Sequence, residues 1–194
     1  MEGRIVVLEP LTAEHEQGLW EAASDARIWE ETNMRIATRA DFELWFDNAL
    51  SEQAAGIAAP FATLAADTGQ ALGSTRYGTL RPEHRSVEIG WTWLTPAAWG
   101  TGANVEAKYL MLRRAFEELD CLRVEFKTAA SNDRSRRALE GIGARFEGIH
   151  RKHMLVRGGV RRDSAWYSVV DDEWPEVKTA LEARLAKPCS PRYA

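Results

Sequence analysis

Residues 99–119 read WGTGANVEAKYLMLRRAFEEL. Val105, Tyr109, Leu112, Phe116 and Leu119 recur at alternating spacings of four and three, which predicts a helix with that face buried. Ahead of the helix stand Gly100 and Gly102, with Trp99 before them and Asn104 behind. The first amides of a helix have no intrahelical acceptor, and with the helix dipole they favour an anion, phosphate above all. Glycine allows left-handed backbone and removes the side chain that would hold a diphosphate away. Thr101 and Asn104 would add side-chain donors. The same spacing also reads as a plain tight turn.

Two familiar phosphate loops do not fit. A P-loop needs glycine, lysine and then serine or threonine, and Lys108 stands inside the helix instead. A dinucleotide fingerprint needs a third glycine where Val105 stands, and it follows its strand directly, whereas Thr95 to Trp99 intervene here.

Outward from this loop the chain resolves into elements. SVEIGWTWL (86–94) alternates, with Val87, Ile89, Trp91 and Trp93 on one face and Glu88, Gly90 and Thr92 on the other, as a strand does. LRVEFKT (122–128) alternates again. NDRSRRALEGIG (132–143) is a helix capped near Asn132 and stopped by Gly143. ARFEGIHRKHMLV (144–156) and VRRDSAWYSVV (160–170) are strands joined across Gly158 and Gly159. The last helix (171–186) turns Trp174, Val177, Leu181 and Leu185 inward. Upstream, RIVVLEPL (4–11) is a strand ending at Pro10, and residues 12–23 form a short helix from Thr12. TRADFELWFDNALSEQ (38–53) is helical through Phe42, Trp45, Phe46 and Ala49, and Thr68-Gly69 turns a hairpin between residues 61–67 and 71–80. This order predicts a mixed α+β domain, with a meander early and strand–helix–strand units later.

The composition agrees. With 194 residues, 45% hydrophobic and 28% charged, the chain suits one globular domain, expected over 1–187 with a tail at 188–194. A net charge of −4 speaks against a nucleic-acid partner. No apolar run reaches membrane-spanning length and the N-terminus is unlike a signal peptide, so no membrane and a cytoplasmic location are expected. Cys121 and Cys189 have no metal-type spacing and read as unpaired thiols, so no metal is expected. Most of the eight tryptophans should be core or pocket wall.

From VEIGW at Val87 to RFEG at Gly148, the sequence resembles the core of the GNAT acyltransferases, in the RimJ/RimL-like branch that acetylates ribosomal-protein N-termini and related amines. In element order the resemblance runs from Arg4 to Trp174. It implies a mixed, mostly antiparallel twisted sheet with helices on both faces. It also implies acetyl-CoA as cosubstrate and direct acetyl transfer to an amine acceptor, either a peptide N-terminus or a small molecule. A homodimer is part of the same implication.

Carried onto this chain, the resemblance places Trp99, Gly100, Thr101, Gly102, Ala103 and Asn104 on the CoA diphosphate. A free main-chain N–H at a split between two strands, near Trp93 and Leu94, would meet the developing oxyanion. Asn132, Ser135 and Gly143 fit a second motif, in which the asparagine touches the pantetheine arm and the serine lies near the sulfur as a candidate acid. Arg136, in the run Arg134, Arg136 and Arg137, would meet the adenosine 3′-phosphate or else form a solvated helix face. Two positions depart from the family pattern. Ala97 stands where arginine or glutamine is usual, and Leu139 stands where many relatives keep a tyrosine as the thiolate's acid.

An amine must lose a proton before it attacks a thioester, so a base is needed. Glu88 is the candidate, with small Gly90 and Thr92 beside it, and its structural alternative is an ion pair with Arg76, Arg81 or Arg85. Trp29, Glu30 and Glu31 fall where the family builds its acceptor lid, while Trp45 fits the core stripe. Tyr167 and Asp163 read first as structural, although Tyr167 could line the thioester site. His150 and His153 read as surface residues of a basic stretch. The competing reading is a GNAT-fold module that binds acyl-CoA or a partner and does little or no chemistry.

Overall fold

The computed structural model describes residues 1–30, 32, 34 and 36–187. Glu31, Cys189 and the tail 188–194 lie outside the described residues. The strands are β1 (Val6–Pro10), β2 (Ala59–Ala65), β3 (Ala71–Arg81), β4 (Ser86–Leu94), β5 (Arg123–Ala129), β6 (Arg145–Val156) and β7 (Val160–Val170). The helices are α1 (Glu16–Ala22), α2 (Arg39–Ala54), α3 (Ala103–Glu117), α4 (Asp133–Glu140) and α5 (Trp174–Ala186). The strands form one sheet in the order β1-β2-β3-β4-β5-β7-β6. Every pair is antiparallel except β4 and β5, which are parallel and joined by α3. No helix among the described residues is long and apolar enough to cross a membrane.

Two apolar clusters cover the sheet. The larger joins Val87, Ile89 and Leu94 of β4 to α3 and α5, and the smaller joins Trp93 of β4 to Trp29, α1 and α2. In α2 the expected residues Phe42, Trp45, Phe46 and Ala49 are the buried ones, and Thr38 caps the helix by accepting from the Asp41 N–H. Each buried large apolar side chain of this kind contributes about 1.5–3 kcal/mol.

The expected face of α3 needs correcting. Its closest contact with the core runs through Ala103, Ala107, Leu110, Met111, Leu112 and Ala115. Alanine lets the helix lie close on the sheet. Val105, Tyr109 and Phe116 are only partly buried, and Tyr109 and Phe116 pack on Trp174 of α5 at centroid distances of 6.3 and 5.4 Å. Leu119 lies beyond the helix end and is exposed. Glu106, also buried, accepts from the backbone N–H groups of Arg4, Ile5 and Val6 and so fixes the start of β1 on α3.

The alternation expected along β4 breaks at Trp91. Ser74 faces Trp93 and Arg76 faces Gly90, so one extra residue sits on β4 between them. Trp91 takes φ 51°, the left-handed strain of a β-bulge. Beyond the bulge the facing reverses. Trp93 therefore enters the α1–α2 cluster, opposite to Val87 and Ile89, while Leu94 joins Val87 and Ile89 on the α3 side.

Candidate active site

Pairing between β4 and β5 covers only Ser86 with Arg123, Val87 with Val124 and Glu88 with Glu125. Past Glu88 the two strands part. An open cleft of about 1200 Å³ fills the gap, between Gly90–Leu94 on one wall and Phe126–Ala129 on the other. It continues to the turn before α3.

That turn is built for close approach. Gly100 has φ 75° and Gly102 has φ 94°, conformations that suit glycine. Gly102 is the N-cap and offers no side chain, so the first turn of α3 opens on the cleft at Asn104 and Val105. A Cβ on Gly102 would stand 2.9 Å from Ile5 Cδ1. The Thr101 hydroxyl is engaged inside the turn rather than offered as a donor: it donates to Ala98 O at 2.8 Å and accepts from Ala103 N at 3.3 Å. Trp99 Nε1 donates to Leu94 O at 2.9 Å, which ties the turn to the end of β4.

Charge around the cleft mouth comes from Arg4, Arg134, Arg184 and Lys187. Arg134 stacks on Trp99, its guanidinium carbon 4.4 Å from the ring centroid. Arg136, the sequence choice, is turned elsewhere. Its Nε donates to Tyr167 Oη at 3.0 Å, its Nη1 donates to Ala130 O at 3.3 Å, and it lies over Phe146. Tyr167, which the sequence offered as a wall of the thioester site, is fully buried, donates to Glu140 at 3.0 Å and does not border the cleft. Asp163 accepts from Lys152 N at 2.6 Å.

Asn132 caps α4 by accepting from Ser135 N at 2.8 Å, and both residues border the cleft. Ser135 Oγ makes no hydrogen bond to a preceding carbonyl among the described residues. Leu139 borders the same wall, where a tyrosine acid would have stood.

Glu88 is 2% exposed and borders the cleft. Its ion-pair partner is Lys127, at 2.8 Å from Oε2, rather than an arginine. Thr79 Oγ1 donates to the same oxygen at 2.8 Å. Oε1 points along the strand, 3.2 Å from where a Cβ on Gly90 would be, and accepts no hydrogen bond among the described residues. One carboxylate oxygen is thus anchored and the other is presented over a glycine.

Trp93 borders the cleft from the α1–α2 side of the sheet, with its ring 5.3 Å from Trp29 and 5.5 Å from Trp45. That correction follows from the bulge. Trp29 is buried, its Nε1 donating to Ala23 O at 3.0 Å, and with exposed Glu30 it lines a separate hollow of about 600 Å³. His153 Nδ1 meets Ser164 Oγ at 3.0 Å, and burial together with the Lys127 charge holds its pKa below the ordinary value.

The sequence reading passed over three groups. Lys108 is buried on the α3 side of β4, its Nζ donating to Thr75 Oγ1 at 3.1 Å and to Thr92 Oγ1 at 2.5 Å. A lysine among the apolar positions of α3 was the signal. Lys127 holds Glu88, and Arg162 borders the cleft from β7. Their inward facing in strands is visible by alternation, but their partners are distant in sequence. Among the described residues there is no cluster of three or more His, Cys, Asp or Glu able to hold a metal ion.

A family model described as acetyltransferase (GNAT) domain matches residues 6–145. A solved GCN5-related N-acetyltransferase from Brucella melitensis is 37% identical with a TM-score of 0.88, covering 95% of this chain and 84% of that one. A curated Bacillus subtilis (strain 168) protein named "Putative ribosomal N-acetyltransferase YdaF" is 33% identical over 110 residues. That match takes in 57% of this chain and spans 59% of the relative's length.

Proposed function

This chain belongs to the GNAT acetyltransferase family, and we propose that it moves an acetyl group from acetyl-CoA directly to a primary amine. The observation that carries the reading is the parting of β4 and β5 beyond Glu88, with the two-glycine turn at one end and Glu88 Oε1 at the other. The turn and the basic mouth suit the diphosphate and 3′-phosphate of CoA, because backbone amides, a helix N-terminus and cations converge there. In this reading Arg134 takes the phosphate role that the sequence assigned to Arg136. Asn132 and Ser135 border the path of the pantetheine arm. The bulge at Trp91 turns main chain at the end of β4 toward the acyl group, where an aimed N–H stabilises the oxyanion.

Acetyl-CoA supplies the activated acetyl group. Glu88 Oε1 takes the proton from the incoming ammonium, directly or through water, and Lys127 and Thr79 hold the carboxylate in place through Oε2. Ser135 is the candidate donor to the departing thiolate. The amine belongs to a protein N-terminus or to a small molecule; the name of the Bacillus subtilis relative describes that protein as a ribosomal N-acetyltransferase. A homodimer belongs to the same proposal, and exposed Leu155 and Val160 on the β6–β7 hairpin support it; sedimentation checks it.

One observation favours a binding-only module instead: Leu139 borders the cleft wall at the position where the family pattern puts a tyrosine acid. Thiol release from acetyl-CoA, measured with and without amines, decides between the two. Amine-dependent release supports the transferase, and binding of acetyl-CoA with no release for any amine supports the module.

A further inference from the structure

The acceptor side of the sheet is crowded with charges, and nearly all are paired. Lys127 is held by Glu88, Arg76 by Glu52 at 2.5 Å, and Arg123 and Arg81 by Glu125 at 2.9 and 3.2 Å. Arg162 is not. It stands on β7 opposite Met154 of β6 and borders the same cleft as Glu88, Gly90 and Thr92. Among the described residues no hydrogen bond or ion pair reaches its guanidinium, and its Nε is shielded from water with no partner. Burial lowers its pKa, opposed only by the charge of Glu88. The indole Nε1 of Trp93, which borders the same cleft, is a second buried donor with nothing to donate to.

A half-buried cation without an anion is costly unless something else supplies one. We infer that Arg162 anchors a carboxylate on the acceptor, so that the preferred acceptor is a small amine carrying a carboxylate, with an α-amino acid as the simplest form. This rests on the transferase reading above and narrows it. The charge count sets the class: Lys127 is neutralised by Glu88, which leaves one positive charge for one monoanion. The planar fork of a guanidinium matches a carboxylate through two parallel hydrogen bonds. Glu88 Oε1 and Arg162 then face the ammonium and the carboxylate of one zwitterion. A peptide N-terminus places a neutral amide beside its amine, which leaves the guanidinium desolvated and its charge unmatched, and that mismatch discriminates against it.

The test is a binding titration on the CoA-saturated protein, followed by tryptophan fluorescence, since Lys127 lies 5.8 Å from the Trp91 ring and 5.4 Å from the Trp166 ring. Common α-amino acids are compared with their own amides and with tripeptides of the same first residue. The expected result is at least one acid that binds about tenfold to a hundredfold more tightly than its amide and its tripeptide. In Arg162→Gln the ratio of acid to amide falls to near unity, and Arg162→Lys keeps part of it because the charge stays and the fork is lost. Melting curves check that both variants fold. If no acid is preferred over its amide, or if Arg162→Gln keeps the preference, the inference is overturned. Thiol release recorded on the same samples reports separately on acetyl transfer, so failure of that reading is distinguishable from failure of the carboxylate subsite.

Discussion

Lys108 Nζ donates to Thr92 Oγ1 at 2.5 Å across the β4 bulge, and Thr75 Oγ1 is its other partner at 3.1 Å. Among the described residues only hydroxyls meet it. Thr75 and Thr92 also bond to each other at 2.8 Å, and the Met111 sulfur closes the site from α3. The amine thus props the bulge from beneath without a carboxylate to hold its charge.

This arrangement gives a pH prediction. Burial brings the Lys108 pKa down from 10.5 to about 7. The folded-state value is below the unfolded one, so between these two pH values the unfolded chain binds a proton that the folded chain does not. Stability due to this group therefore rises with pH across that window, and its penalty is full below pH 7. Lys108→Met should raise the urea midpoint at neutral pH and flatten its rise toward alkaline pH relative to the parent. A parent and variant with the same slope would show that Lys108 keeps an ordinary pKa.

Gly102 is a constrained position of the turn. Gly102→Ala adds left-handed strain at φ 94° and a contact of 2.9 Å with Ile5. The left-handed backbone alone costs about 1–2 kcal/mol. Urea unfolding should show that loss, and the melting shift given by acetyl-CoA should shrink with it. Full retention of the acetyl-CoA shift would move the phosphate site away from this turn.

Arg134 and Arg136 separate by partner. Arg134 stacks on Trp99 at the cleft mouth, whereas Arg136 is bound to Tyr167 and Ala130. Arg134→Ala should weaken CoA by about tenfold, as loss of one charged phosphate contact does. Arg136→Ala should lower the melting temperature and leave CoA affinity near its parent value. Calorimetric titration of both variants checks this, and the reverse order would restore the sequence choice.

Much of the fold could be read locally. The α2 stripe through Phe42, Trp45, Phe46 and Ala49 follows from period alone, and the hairpin at Gly158 and Gly159 from turn chemistry. The glycine turn and the Asn132 cap were legible for the same reason. What failed depended on partners far along the chain. The extra residue at Trp91 exists only against β3, and it reverses the side that Trp93 takes. Arg136 points to Tyr167 because β7 lies beside α4, a fact of topology. Lys127 and Arg162 alternate like any strand residues, and only the packed sheet reveals that one of them has an anion and the other has none among the described residues.

The most direct measurement compares the parent and Glu88→Gln in amine-dependent thiol release from acetyl-CoA at neutral pH. The parent should release thiol only when an amine is present. Glu88→Gln should bind acetyl-CoA with the same melting shift and lose about a hundredfold or more in turnover, the usual effect of removing a general base. Equal turnover by the two proteins would remove Glu88 from the chemistry, and a parent that releases no thiol with any amine would contradict acetyl transfer itself.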